Sequence, residues 1–362
     1  MKIKYILLIF AATLFFSCNQ SDVGIFYGLE KEVKIKDNSL SNNLTIGSMA
    51  KNGSELYIAA GRVYTKTSGS SEDWRKVSSP SGYDLSTSLA ANATDSNVYA
   101  VFFDTDTAEK ALFKMPDGGS WTKVTDPIFD GSIEFVKSAG SFILVSTRIN
   151  SNDGKLYYSN GGAFTEVSNI TMIGSEFNVI EFDTGTGDTY WISNHSILYN
   201  GVDFDNMANV LELDGDKIIK GLSEPSDPSD PYIYLSYWNR DRSRGYIKAV
   251  DGASINAEGD SEIYNLNGLT TFTTEGFEFL LCGTGGRGYR QISSPSDSRL
   301  DLATPKNDVL SENYTSAIEL QNCVVLDFFV DGGDDGDLYA LTATTGLWKN
   351  SLSGGTRVWS IE

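Results

Sequence analysis

A recurring strand pattern constrains this chain more than any other feature. It begins with the apolar run Leu56-Tyr57-Ile58-Ala59-Ala60, a tight turn at Gly61-Arg62, a second strand through Thr65, and a short aromatic-led strand from Trp74 to Val77. The apolar strand returns at residues 98–101, 142–145, 189–192, 232–235, 278–281 and 338–341. Counted from the second residue of each, positions 57, 99, 143, 190, 233, 279 and 339 are separated by 42, 44, 47, 43, 46 and 60 residues. A unit of this length holds a few short strands that cannot bury their own apolar faces, so copies must stack. Seven copies predict an all-β chain, a seven-bladed β-propeller of four-stranded antiparallel blades over residues 44–362.

Strands follow from the residue types. Aromatic residues make up 12% of the chain, glycines number 35, and long helical runs of Ala, Leu, Glu and Lys are absent. In the third unit the four strands read as 133–136, 142–145, 155–159 and 164–167, and in the seventh as 324–330, 338–341, 347–350 and 358–361. The second strand of each unit is nearly continuous apolar residue, as expected where neighbouring blades cover both faces. The outer strand is faint in the fourth unit (207–211) and the fifth (254–257), and a long polar insertion, 293–316, follows the sixth. A further strand, 24–35, either pairs with the last blade or leads into the ring, which must close to leave no sheet edge unpaired.

A glycine-aromatic turn recurs before the outer strand. It reads Pro116-Asp117-Gly118-Gly119-Ser120-Trp121, Asn160-Gly161-Gly162-Ala163-Phe164 and Ser353-Gly354-Gly355-Thr356-Arg357, with Ser70-Ser71-Glu72-Asp73-Trp74 as a related form. These resemble degenerate Asp-box turns of sialidase-type and plant photosystem-assembly-type propellers. In those families the turns are structural, so the resemblance supports a fold and names no activity.

The N-terminus is a targeting segment. Lys2 and Lys4 precede an apolar run, 5–16, too short to span a bilayer, and Ser17-Cys18 follows. This arrangement resembles the bacterial lipoprotein cleavage signal, with Phe15 and Phe16 departing from its usual residues. The resemblance implies a signal peptide over residues 1–17, a lipidated Cys18, and a tether with an N-terminal strand over 18–43. It places the protein in the cell envelope, on the outer membrane at its periplasmic or surface face. Losing Lys2 and Lys4 leaves 26 basic residues of 28 against 48 acidic ones, a net charge of about −22. Such a body repels nucleic acid and anionic lipid, so the lipid anchor is the expected membrane contact. Cys282 and Cys323 are the remaining cysteines, in apolar strands, as two buried thiols or as a bridge between units.

Chemistry is expected on one rim. In a four-stranded blade with strands A to D, the B–C and D–A connections emerge on one face. The B–C turns hold six of the ten arginines: Arg62, Arg148, Arg240, Arg242, Arg244 and Arg287. Planar guanidinium groups suit carboxylate, sulfate or phosphate, and Trp238 beside them offers a stacking face. The candidate ligand-binding set is Arg148, Trp238, Arg240, Arg242 and Arg287 with Asp104, which opens the second B–C turn. The bland reading of the same residues is a set of solvated hairpins.

Other chemistries find less support. A sialidase reading needs an arginine triad, a tyrosine nucleophile with its glutamate, and a Phe/Tyr-Arg-Ile-Pro motif; the motif is absent and no Tyr–Glu pair stands out. His195 is the single histidine and sits in a two-residue turn, so His-based metal sites have no basis. The runs 331–337 and 150–154 could hold Ca²⁺ through oxygen ligands, but Asp-Gly is also what hairpins require. No other cofactor is implied. Residues 283–288 are glycine-rich yet lie between two strands, which is no phosphate loop. The sequence thus predicts a lipid-anchored propeller that binds a peptide, protein or glycan on its B–C/D–A face, with a sialidase-like hydrolase as the alternative.

Overall fold

The computed structural model describes residues 40–362 except 42, 93, 185–186, 242–243, 252–253, 261–264 and 297–299, and leaves the side chains of 87 and 254–260 undescribed. Cys18, Arg242 and the strand expected at 24–35 lie outside the described residues. Residues 40–362 form one unit, and the chain folds into seven consecutive antiparallel sheets, the seven-bladed propeller the repeat predicts. The inner, A strands are Ser48–Asn52, Leu85–Asn92, Ser132–Ala139, Asn178–Asp183, Lys217–Ser223, Leu266–Thr274 and Val325–Asp331.

Alternation along the B strands builds the ring. In the first B strand, Glu55–Ala60, residues Tyr57 and Ala59 pack against the second blade, while Leu56, Ile58 and Ala60 pack against Tyr339, Leu341 and Leu347 of the seventh. Successive side chains point to opposite faces of a sheet, so one strand feeds two neighbouring cores. The same division recurs in Asn97–Phe103, where Val98, Ala100 and Phe102 face the first blade and Tyr99 and Val101 the third. Among the described residues there are seven such apolar seams, one between every pair of blades. The outer strands Arg75–Lys76 and Thr122–Lys123 are short and exposed, as suits a sheet edge.

Inner strands of adjacent blades are joined by side chains. Ser48 Oγ accepts from the Leu89 amide at 2.7 Å, Ser88 Oγ accepts from the Val136 amide and donates to its carbonyl, both at 2.9 Å, and Ser223 Oγ accepts from the Thr271 amide at 2.9 Å. Small hydroxyls at these positions satisfy backbone groups that no neighbouring strand reaches.

The ring closes through side chains of the first and last blades. Lys66 and Glu362 pair at 2.5 Å, with the Trp74 indole donating to Glu362 at 3.1 Å. Asp331 accepts from Lys51 at 2.6 Å and from Ser68 at 2.5 Å. Each described blade draws its strands from one continuous stretch of chain.

Two units depart from four strands. The third gains a short strand, Met172–Ile173, on its C strand. The sixth shows three strands, and the segment expected to be a polar insertion is part of the core. Leu310, Tyr314, Ala317, Leu320 and Cys323 are buried between the sixth and seventh blades, around a single helical turn, Ile318–Gln321. The apolar residues are spread too thinly among polar ones to show a period. Cys282 and Cys323 are free, buried thiols in two different seams. Arg357, which reads as a turn residue, is 1% exposed. Its guanidinium donates to Thr274 Oγ1, to the carbonyl and side chain of Asn350, and to the Gly336 carbonyl, and it lies 4.7 Å from the Phe272 ring centre.

Candidate functional site at the channel

All seven A strands line one cavity of about 1220 Å³ along the axis of the ring. Its two mouths are built from different loops. On the B–C/D–A side the lining includes Arg148, His195, Arg240 and the loop that carries Ser175 and Glu176; on the A–B side it includes Glu224, Pro225, Ser226, Gly333 and Asp334.

The B–C mouth is braced. Asn194, 1% exposed at the end of its B strand, accepts from the Ile173 amide at 2.6 Å and donates to the carbonyls of Ile173 and Glu176 at 3.3 and 2.7 Å. Tyr199 Oη accepts from the Thr171 amide at 2.9 Å. These bonds fix a D–A loop that would otherwise be free to move. Arg148 ends a B strand, donates to Ser175 Oγ at 3.1 Å and stands 3.7 Å from Glu134. Glu134 is also paired with Lys110, so Arg148 shares its partner. Lys220 reaches Glu176 at 3.8 Å from a bulge in its A strand.

Electrostatics ties these groups together. Burial, then the nearby Arg240 and Lys220 cations, hold the His195 imidazole below its ordinary range. His195 adopts φ 53° at the tip of a hairpin, and its Nδ1 has no hydrogen-bond partner. Deeper in the channel, burial pushes the Lys137 amine down against the pull of Asp327 and Glu176, while Lys137 hydrogen-bonds Asn178 at 3.0 Å. Across from it, burial raises the Asp327 carboxyl, and Lys137 opposes that shift. At the A–B mouth Glu224 is pushed up to about 7 by desolvation and by Glu181 and Asp183. Glu224 is exposed and lines the cavity.

The residues expected on the rim divide into two groups. Arg148 and Arg240 line the cavity. Trp238 is half-buried beside the mouth, its ring centre 5.6 Å from the Arg240 guanidinium carbon. Arg287 is exposed on the turn of the sixth blade, and Gly285 and Gly288 tie that turn to Val324 and away from the axis. Asp104 caps its own loop, accepting from the amides of Asp106 and Thr107 and from Thr107 Oγ1; those bonds hold its carboxyl below the usual range. Arg62 sits near Asp84 at 3.6 Å, also off the cavity. Sequence reading missed Lys137, Lys220, Glu176, Glu224 and Asp327, and it took His195 for a turn residue only. The one signal for Lys137, Lys220 and Asp327 is a charge in an inner strand, while Glu176 and Glu224 lie in the loops that flank such strands.

The Asp-rich run is occupied structurally. Asp331 holds the closing seam, Asp335 accepts from Thr274 and the Glu275 amide, and Asp337 pairs with Lys349 at 2.8 Å. Among the described residues no three His, Cys, Asp or Glu side chains cluster as metal ligands would.

A family model of the TP013X lipoprotein family matches residues 2–190, which takes in the N-terminal segment and the first three blades. The chain belongs to the TP013X lipoprotein family. No curated protein matches it. Solved structures share its architecture at low identity. An ancestral GH74 enzyme aligns with 13% identity and a TM-score of 0.62 over 89% of this chain, which spans 47% of that one. A catalytically inactive virginiamycin B lyase from Staphylococcus aureus, solved with quinupristin, gives 10% and 0.57 over 86% of this chain and 96% of the other. YCF48 from Cyanidioschyzon merolae gives 12% and 0.53 over 86% and 96%. At these identities the likeness is one of fold. Family membership makes the chain a membrane-anchored lipoprotein of the bacterial envelope.

Proposed function

We propose that this lipoprotein is a binding or scaffold propeller, held at the outer membrane through a lipidated Cys18, which engages a peptide, protein or glycan ligand at the B–C/D–A mouth of its channel. One observation carries the reading: Arg148 and Arg240, distant in the chain, both line the cavity at the mouth whose D–A loop is braced by buried Asn194. A site held rigid before its ligand arrives loses little entropy on binding. Cross-linking in intact envelopes tests it. The native chain should trap a discrete partner, and the R148A/R240A variant should trap none; equal capture by both would remove the mouth from the account.

A hydrolase reading draws on a different observation, the raised Glu224 carboxyl with Glu181 and Asp183 near it. A carboxyl near neutrality suits a general acid beside an ionised partner, and the GH74 enzyme shares the fold. A panel of chromogenic glycosides separates the readings: hydrolysis removed by Glu224→Gln supports the enzyme, and no turnover on any glycoside supports the binder.

A further inference from the structure

Two opposite charges stand inside the channel, on its inner strands rather than on its loops. Lys137 belongs to the A strand of the third blade and Asp327 to that of the seventh, and both line the cavity. In a ring of seven blades these two are as far apart as any pair can be, so the side chains enter from opposing walls. Each is built into place. On the third-blade side the Asn178 amide donates to Ser193 Oγ at 3.2 Å, and Ser193 is 1% exposed. That bond turns the Asn178 oxygen so that it accepts from the Lys137 amine at 3.0 Å. The Phe177 ring centre lies 5.8 Å from the same amine. On the seventh-blade side Asp327 follows a bulge in its strand and accepts the Phe328 amide on Oδ1 at 3.0 Å. Its carboxylate lies over Gly268 of the sixth blade, where any Cβ would collide with Oδ1.

Lys137 and Asp327 sense each other's charge but form no ion pair. Lys137 uses one of its three donors on Asn178, and Asp327 keeps acceptor capacity beyond the Phe328 amide. The other acid that Lys137 senses, Glu176, is paired with Lys220 at 3.8 Å. Both groups are half-buried in a cavity walled by Phe135, Phe177, Phe272 and Phe328, and enclosure works against each charge. Charges enclosed without a partner are unfavourable, and a ligand that meets both relieves both. We infer that the channel holds a second site, between Lys137 and Asp327, for a small zwitterion of the amino-acid class. The ligand carboxylate takes the Lys137 amine, its ammonium takes the Asp327 carboxylate, and the phenylalanine walls enclose the spacer. A monoanion would leave Asp327 unmet, and a monocation would leave Lys137 unmet. The site is separate from the mouth loops and does not depend on what they capture.

Titration calorimetry on the detergent-solubilised full chain tests this with three zwitterions, glycine, 4-aminobutanoate and 6-aminohexanoate, and two one-ended controls, butanoate and butylamine. At least one zwitterion should bind about tenfold or more tighter than either control, and the length that binds best reads the gap between the two groups. Lys137→Met and Asp327→Asn should each lose about tenfold or more for that zwitterion. Gly268→Ala should weaken it too, by pushing the Asp327 carboxylate from its place. Arg62→Ala, off the cavity, should leave it unchanged. Thermal melts check the fold of each variant, and the preference for a zwitterion is read on the native chain without them. No binding of any zwitterion overturns the inference, as does butanoate or butylamine binding as tightly as the best of them. Zwitterion binding that survives both Lys137→Met and Asp327→Asn overturns it as well.

Discussion

The two ends of the channel are made from the same seven inner strands, yet they differ in the charged groups they collect and in bracing. The B–C mouth collects Arg148, Lys220 and Arg240 and is fixed by Asn194 and Tyr199. The A–B mouth collects Glu224 and Asp334, with Glu181 and Asp183 close enough to push Glu224 up to about 7. Cations at the first mouth are paired with acids and held in place. At the second, enclosure first and the neighbouring Glu181 and Asp183 charges second raise the Glu224 carboxyl. A propeller imposes the arrangement of its loops, but the side chains on them decide which end is ready for a ligand.

Charge reversal breaks the comparison most severely. Replacing Arg148 and Arg240 by Glu should reduce capture of the envelope partner by about tenfold or more, since the charge is reversed at both positions; quantitative cross-linking measures the loss. Releasing the brace comes next. Asn194→Ala leaves the Ile173 amide and the Ile173 and Glu176 carbonyls without their partner. Buried groups left in that state cost about 1–3 kcal/mol each, so a loss of roughly 2–4 kcal/mol is expected in urea unfolding, with weaker ligand binding beside it.

A smaller effect marks the acidic mouth. The folded-state value of Glu224 lies above its ordinary value, so the folded protein holds a proton there that the unfolded chain releases. The native chain is therefore favoured by Glu224 protonation at low pH, and stability falls as pH rises from the ordinary glutamate range through about 7. Glu224→Gln should melt higher than the native chain at pH 8, and the difference should vanish near pH 4. Removing the hydroxyl that orients Arg148, by Ser175→Ala, should cost the least, about two- to threefold in partner capture.

The architecture was open to sequence reading because each B strand writes its two seams into alternate residues, and seven repeats of that script leave one closed solution. Half of the site was open for the same reason. Arg148 ends a B strand and Arg240 directly follows one, and a propeller carries those ends to one face. Arg287 occupies the same kind of turn and still stands apart, because the segment after the sixth blade wedges in and binds its turn through Val324. Lys137, Lys220 and Asp327 gave no usable signal. A charged residue in an inner strand becomes a channel residue only once the ring has closed around it. Arg357 misled in the opposite sense: a glycine-rich turn marks an exposed arginine in most settings, whereas here the guanidinium fills the gap between two blades.

Hydrogen exchange read by mass spectrometry, on the chain alone and on the chain held in its cross-linked complex, tests the central claim most directly. The account predicts added protection in residues 171–177, around His195 and at Arg240, with residues 223–226 and 333–334 unchanged. Protection confined to the acidic end, or spread evenly over both, would contradict it.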